Sequence, residues 1–128
     1  MDANGREYLN RLAEQVVGAT YEVANTLGPG FLEKVYERAL AQEIAWRGLQ
    51  VQAQVPISVS YKGVVVGDYC ADLLVDDRSI VELKCVDPLA NEHLAQTLNY
   101  LKATGRKIAL LVNFQHPRVE WKRIVNDC

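Results

Sequence analysis

The chain is 128 residues long, 49% hydrophobic and 23% charged, and its 14 basic and 16 acidic side chains leave a formal net charge of −2. That length carries one core of ordinary size, read as a single domain over 1–128, and the composition excludes an intrinsically disordered chain. The longest aliphatic run, Ile108 to Val112, falls far short of the roughly 18 residues of a membrane span, so no membrane partner is expected.

The opening residues, Met1-Asp2-Ala3-Asn4-Gly5-Arg6, lack a basic stretch followed by an apolar one, and the expected location is cytoplasmic. Leu9, Leu12, Val16, Val23 and Leu27 recur at three-, four- and seven-residue intervals, which predicts an amphipathic helix over about Glu7 to Leu27. Gly28-Pro29-Gly30 breaks it. Leu32, Val35, Tyr36, Ala39, Leu40 and Ile44 restart the helical period as far as about Arg47, with Gly48 as the stop. From Val51 the period becomes two, with Pro56 placing this strand near a sheet edge. Lys62-Gly63 reads as a hairpin turn, Val64 to Val75 as the returning strand, and Asp76-Asp77-Arg78 as a second turn before a strand over Ser79 to Val86. After Pro88, Leu94, Leu98 and Leu101 mark a third helix ending at Gly105. Lys107 to Phe114 and Val119 to Val125 read as two last strands. The order α-α-β-β-β-α-β-β is an α+β fold with helices packed on a sheet.

Cys70, Cys85 and Cys128 are an odd count without C-x-x-C spacing, which argues for free thiols against a disulfide framework or a zinc site. Charge is uneven. Residues 1–101 hold 8 Lys/Arg against 14 Asp/Glu, a net of −6, and residues 102–128 hold 6 against 2, a net of +4. The cluster Lys102, Arg106, Lys107, Arg118, Lys122 and Arg123 therefore suits a phosphate backbone, or equally a solvated basic edge.

On the strand Ile80 to Cys85, Glu82 and Lys84 share one face, roughly 6.6 Å apart, while Val81, Leu83 and Cys85 face the other layer. Antiparallel pairing across the Asp76-Asp77-Arg78 turn brings Asp72 beside Glu82. Two carboxylates about 4 Å apart repel by roughly 4 kcal/mol at an effective dielectric near 20. Lys84 offsets part of that, and a hard divalent cation on oxygen ligands offsets the rest, which points to Mg2+ or Mn2+. Zinc and copper are disfavoured, because His93 and His116 stand far apart and no sulfur cluster accompanies them. The same spacing also describes a cross-strand salt-bridge ladder on a solvated face, and spacing alone does not choose between the two.

Gly30-Phe31-Leu32-Glu33-Lys34-Val35-Tyr36 resembles the G-x-x-E-x-x-Y signature of a group of small bacterial proteins placed in the PD-(D/E)XK nuclease superfamily. Tyr61-Lys62-Gly63, Ala71 to Val75, Val81 to Lys84 and Ala95 to Lys102 match further pieces, so that the resemblance spans about Glu7 to Ile124. It implies a restriction-endonuclease-like αβββαβ core, with a central mixed sheet flanked by helices and a tendency to three layers. It also implies a Mg2+-dependent nuclease that hydrolyses phosphodiester bonds, with DNA ahead of RNA as substrate. By the same resemblance Asp72 is the motif aspartate, Glu82-Leu83-Lys84 the (D/E)-x-K element, and Glu33 the additional helical acid. Gln96 and Tyr100 resemble the Q-x-x-x-Y element of a branch that includes recombination exonucleases. Ala71 stands where the superfamily name has proline, and Cys70 where a basic residue is expected.

The implied metal ligands are Asp72, Glu82, the backbone carbonyl of Leu83, and Glu33. Lys84 and Gln96 are implied to orient the attacking water and Tyr100 to meet nucleic acid, and the uneven charge adds Lys102, Arg106 and Lys107 as expected nucleic-acid contacts. Bland readings stand beside these: Glu33 as an acid favoured in a first helical turn, Tyr36 as core, Tyr100 as packing, Trp46 and Trp121 as packing or interface, and His93 as surface. The alternative function is a non-catalytic nucleic-acid- or protein-binding module that keeps the nuclease fold, and a homodimer is a plausible assembly.

Overall fold

A computed structural model describes residues 3–126. Its elements are α1 (Ala3–Leu27), α2 (Glu33–Trp46), β1 (Val51–Tyr61), β2 (Val64–Val75), β3 (Ser79–Lys84), α3 (Asn91–Thr104), β4 (Ile108–Asn113) and β5 (Glu120–Val125). The five strands form one sheet in chain order, with β3 and β4 parallel and every other neighbouring pair antiparallel. This is the α+β, restriction-endonuclease-like architecture expected from the chain. Pro56 lies on β1, which is an edge strand as its missing N–H requires.

Side-chain alternation divides the sheet into two apolar layers. Leu73, Val75, Val81, Leu83, Ile108, Leu110 and Val112 pack against α1 and α2, where Val16, Leu40 and Ile44 are fully enclosed. Leu74, Ile80 and Ala109 face the other way, against Tyr100 and Leu101 of α3. On α3 the buried residues are Thr97, Tyr100 and Leu101, whereas Leu94 and Leu98 are only half-buried. A lone helix crossing the sheet needs one narrow stripe, and the other two leucines fall on its flanks.

Both hairpin turns use left-handed backbone. Lys62 and Gly63 have φ of 49° and 84°, and Asp76 and Asp77 have 51° and 56°, the conformation that matches the twist of flanking strands. Asp76 also braces its turn through its carboxylate, which accepts hydrogen bonds from the Gln50 N–H and the Tyr8 hydroxyl, each at 2.8 Å. β3 ends at Lys84, two residues short of the expected Val86. There the Phe114 N–H takes the Lys84 carbonyl at 3.0 Å and the Asn113 side chain takes over Val86.

Cys70 and Cys85 are free thiols, and Cys128 lies outside the described residues. Trp46 is 76% exposed and takes no part in the core, while Trp121 donates its indole N–H to the Tyr21 hydroxyl at 3.1 Å. His93 accepts the Ala90 N–H at 2.9 Å and so closes the first turn of α3. Among the described residues no helix is long and apolar enough to cross a membrane.

Candidate active site

The β2–β3 ladder runs only from Val75 opposite Ser79 to Leu73 opposite Val81. One step further the same register sets Asp72 opposite Glu82, and there side chains replace backbone carbonyls as acceptors. The Asp72 N–H donates to Glu82 Oε1 at 3.0 Å, and the Leu83 N–H donates to Asp72 Oδ2 at 2.8 Å. Each carboxylate thus satisfies a backbone donor of the opposite strand, and the two acids are drawn together where the strands separate. Glu82 is only 4% exposed. That burial removes the solvated salt-bridge ladder as a description of this cluster.

Electrostatics follow from the geometry. Burial, and then the neighbouring Asp72 charge, push the Glu82 carboxyl up to about 8, against the opposing pull of the Asp72 N–H and Lys84. Burial also raises Asp72, while the Leu83 N–H, the Glu82 carboxyl and Lys84 hold it down and Glu37 adds to the rise. Burial and mutual repulsion thus favour a shared proton on the pair over two ionised carboxylates. Glu33 sits on the exposed rim at the start of α2. Its carboxyl is raised first by the desolvation it does undergo and then by Asp72, with Lys84 opposing. Asp72 and Lys84 thus act on the charge of both Glu33 and Glu82, although these residues come from α2, β2 and β3.

Tyr36 explains how Glu33 is held. Its ring is 1% exposed and stacks on Phe114, with centroids 4.7 Å apart and planes 6° from parallel. Its hydroxyl donates to the Gly28 carbonyl at 2.6 Å and accepts the Phe31 N–H at 3.2 Å. The tyrosine of the G-x-x-E-x-x-Y stretch is thus a core residue, and it pins the turn that delivers Glu33. In that turn Gly28 and Gly30 have φ of 71° and 108°, which side-chain-bearing residues resist. Replacing Tyr36 by Phe is expected to cost about 1 kcal/mol in urea unfolding, because two part-buried hydrogen bonds are lost.

Gln96 and Tyr100 lie one turn apart on α3. Gln96 Oε1 accepts from Lys84 Nζ at 3.4 Å. Tyr100 is buried, and its hydroxyl is raised by that burial and then by the Glu82 charge. Lys102 lines the cleft beside them. Arg106 and Lys107 are placed elsewhere. Arg106 pairs with Asp77 at 2.7 Å, and Lys107 precedes Ile108, which pairs with Ser79. Since β4 runs parallel to β3, residues entering β4 fall at the opposite end of β3 from Lys84, about 17 Å away over five residues. The C-terminal basic residues also divide between faces: Arg123 reaches Asn10 of α1 at 2.6 Å, while Lys122, next to it on the strand, points to the other face. They do not make one patch.

Sequence reasoning missed Glu37, Gln54 and Asn113. Glu37 is 6% exposed and accepts from Gln54 Nε2 and Lys34 Nζ, each at 2.9 Å. It stands one helical turn after Glu33, a spacing that offered the signal. Gln54 lies opposite Asp72 between two paired positions of β1 and has a φ of 54°, which nothing in an alternating strand sequence announces. Asn113 is 1% exposed, and its amide bonds both the N–H and the carbonyl of Val86 at 3.1 and 2.9 Å, tying down the chain that leaves Lys84.

A family profile described as the PD-(D/E)XK nuclease superfamily matches residues 10–124. The chain belongs to that superfamily. Its Asp72 and Glu82-Leu83-Lys84 stand on the adjoining strands β2 and β3. No curated protein matches the chain. Among solved structures, an alkaline exonuclease from Laribacter hongkongensis is similar at 21% identity and a TM-score of 0.54, over 73% of this chain and 56% of that one. At that identity the likeness shows the fold, and this PD-(D/E)XK chain spans little more than half of the exonuclease's length.

Proposed function

We propose that this protein is a divalent-metal-dependent nuclease that hydrolyses phosphodiester bonds of nucleic acid, with Mg2+ or Mn2+ as cofactor and DNA ahead of RNA as substrate. The observation that carries the reading is the buried, cross-bonded Asp72–Glu82 pair beside Lys84, in a chain of a nuclease superfamily. The Gly30-to-Tyr36 stretch supports a place in the G-x-x-E-x-x-Y group, and a cytoplasmic setting and a possible homodimer belong to the same proposal.

The donor set fits a hard cation. Asp72 and Glu82 each give one oxygen to a backbone N–H, and the two carboxyls also hydrogen-bond each other, a contact that a cation on the ionised pair would replace. Leu83, whose N–H points at β2, directs its carbonyl to the same side of the strand. Among the described residues no three His, Cys, Asp or Glu side chains gather tightly enough to hold a metal by themselves. Magnesium sites commonly need only one or two carboxylates, with water and substrate phosphate completing the shell, so Glu33 on the rim acts through water. When bound, the cation supplies a water of lowered pKa and neutralises charge on the phosphate. Lys84, steered by Gln96, stabilises the negative charge that develops on the phosphoryl oxygens. Tyr100 and Lys102 meet the substrate near the cleft, and Arg106 and Lys107 serve only a strand long enough to reach the far end of β3.

The competing reading, a binding module without turnover, draws on that same lack of a three-ligand cluster. Incubation of plasmid, linear and single-stranded DNA, and of RNA, with and without Mg2+ or Mn2+ separates the two. Metal-dependent cleavage abolished by chelation is expected. Binding that is indifferent to chelation, with no product, favours the module.

A further inference from the structure

A cleft of about 770 Å3 lies between the β1–β2 arm and α3, walled by Ser60 and Tyr69 on one side and Gln96, Asn99 and Tyr100 on the other. It falls in the ~300–1,000 Å3 range of small-ligand pockets and is too small to enclose a duplex. Its inner end meets the site already described, since Gln96 bonds Lys84 and the Tyr100 hydroxyl responds to the Glu82 charge.

The lining has an unusual balance for a phosphate track. It contains one lysine, Lys102, offset by one glutamate, Glu92, and its other polar groups are neutral hydroxyls and amides. Duplex DNA presents a negative charge about every 1.7 Å along its axis, and tight contact needs several cations. A cleft with no net charge gains little from such a backbone. It does offer a flat apolar surface: the Tyr69 ring is 48% exposed and rests against Tyr100, with centroids 5.7 Å apart and planes tilted by 47°. An aromatic ring fixed on one side and open on the other is a stacking platform for an unpaired base. The Ser60 hydroxyl and Asn99 amide in the same walls provide donors and acceptors suited to base edges.

We propose that this cleft binds unpaired nucleobases, with Tyr69 as the platform, so that the preferred substrate is a single strand or a frayed end led toward Asp72 and Glu82. The inference rests on the nuclease reading for the direction of travel, but its test reads binding alone. Fluorescence anisotropy of the full chain in EDTA measures a labelled 12-nucleotide oligothymidylate against a 12-base-pair duplex. The single strand is expected to bind at least about tenfold more tightly, with Tyr69→Ala weakening it by about 5- to 150-fold, the loss of one stacked base. Tyr69→Trp is expected to keep the affinity, which shows that the alanine variant lost a platform and not its fold. Equal or tighter duplex binding, no binding of the oligothymidylate at about 100 µM, or wild-type affinity in Tyr69→Ala overturns the proposal. Failure of the nuclease reading is a different result: intact single-strand binding with no metal-dependent hydrolysis of any substrate.

Discussion

Asp72→Asn is expected to remove metal-dependent cleavage, by at least about 10^3-fold, while leaving a folded and slightly more stable protein. The loss follows because a metal ligand contributes several kcal/mol of transition-state stabilisation. The gain in stability follows because the amide oxygen still accepts the Leu83 N–H, now at 2.8 Å from Asp72, while one of two buried like charges is gone. Relief of repulsion is worth about 1–2 kcal/mol above pH 8, where both carboxyls are otherwise ionised, and less at pH 6. Lys84→Ala is expected to lower cleavage by about 10^2- to 10^3-fold, the usual effect of removing a donor to developing negative charge. Turnover numbers on one DNA substrate, with thermal melts in EDTA, check both variants. Wild-type cleavage in either variant contradicts the assignment, and a less stable Asp72→Asn protein contradicts the repulsion between the two acids.

Metal-free stability is expected to fall as pH rises from about 5.5 to 9. Glu82 has a folded-state value raised from 4.5 to about 8, so over that interval the folded protein binds more protons than the unfolded chain. Its stabilising contribution is complete below about 4.5 and is lost as pH climbs through about 8, with a loss on the order of 3 kcal/mol falling between about pH 5.5 and 9. Asp72 and Glu33 are raised as well and act in the same direction. A divalent cation binds the ionised carboxylates and displaces the proton, so the rise in melting temperature on adding Mg2+ is expected to be larger at pH 8.5 than at pH 6. Urea unfolding across this range, with and without Mg2+, checks the sign. The Glu82→Gln variant, which keeps an acceptor for the Asp72 N–H, is expected to flatten the metal-free dependence.

Much of the arrangement is legible in the sequence. The period of two along Ile80 to Cys85 placed Glu82 and Lys84 on one face and Val81 and Leu83 on the other, because strand alternation leaves no second option. The short turn at Asp76 to Arg78 set the register that brings Asp72 to Glu82, because a tight hairpin fixes its own pairing. Burial of Glu82 was not legible, since it depends on α3 lying over that face, and α3 is joined to β3 by a loop whose path is set by Asn113, almost thirty residues later. The same limit applies to Arg106 and Lys107. Their closeness in sequence to Lys102 suggested one basic patch, but a chain that enters a strand parallel to β3 must first return to the far end of the sheet. Tyr36 was rightly read as core, yet its hold on the Gly28 carbonyl and Phe31 N–H could be seen only once Phe114 supplied the surface it stacks on. Gln54 carried no signal at all, because a left-handed φ within an alternating strand is a local departure with no compositional mark.

A crystal soaked in Mn2+ tests most directly whether the Asp72–Glu82 pair is a cation site. Anomalous scattering is expected at a single position held by Asp72 and Glu82. A crystal that takes up Mn2+ elsewhere, or not at all at millimolar concentration, contradicts that assignment.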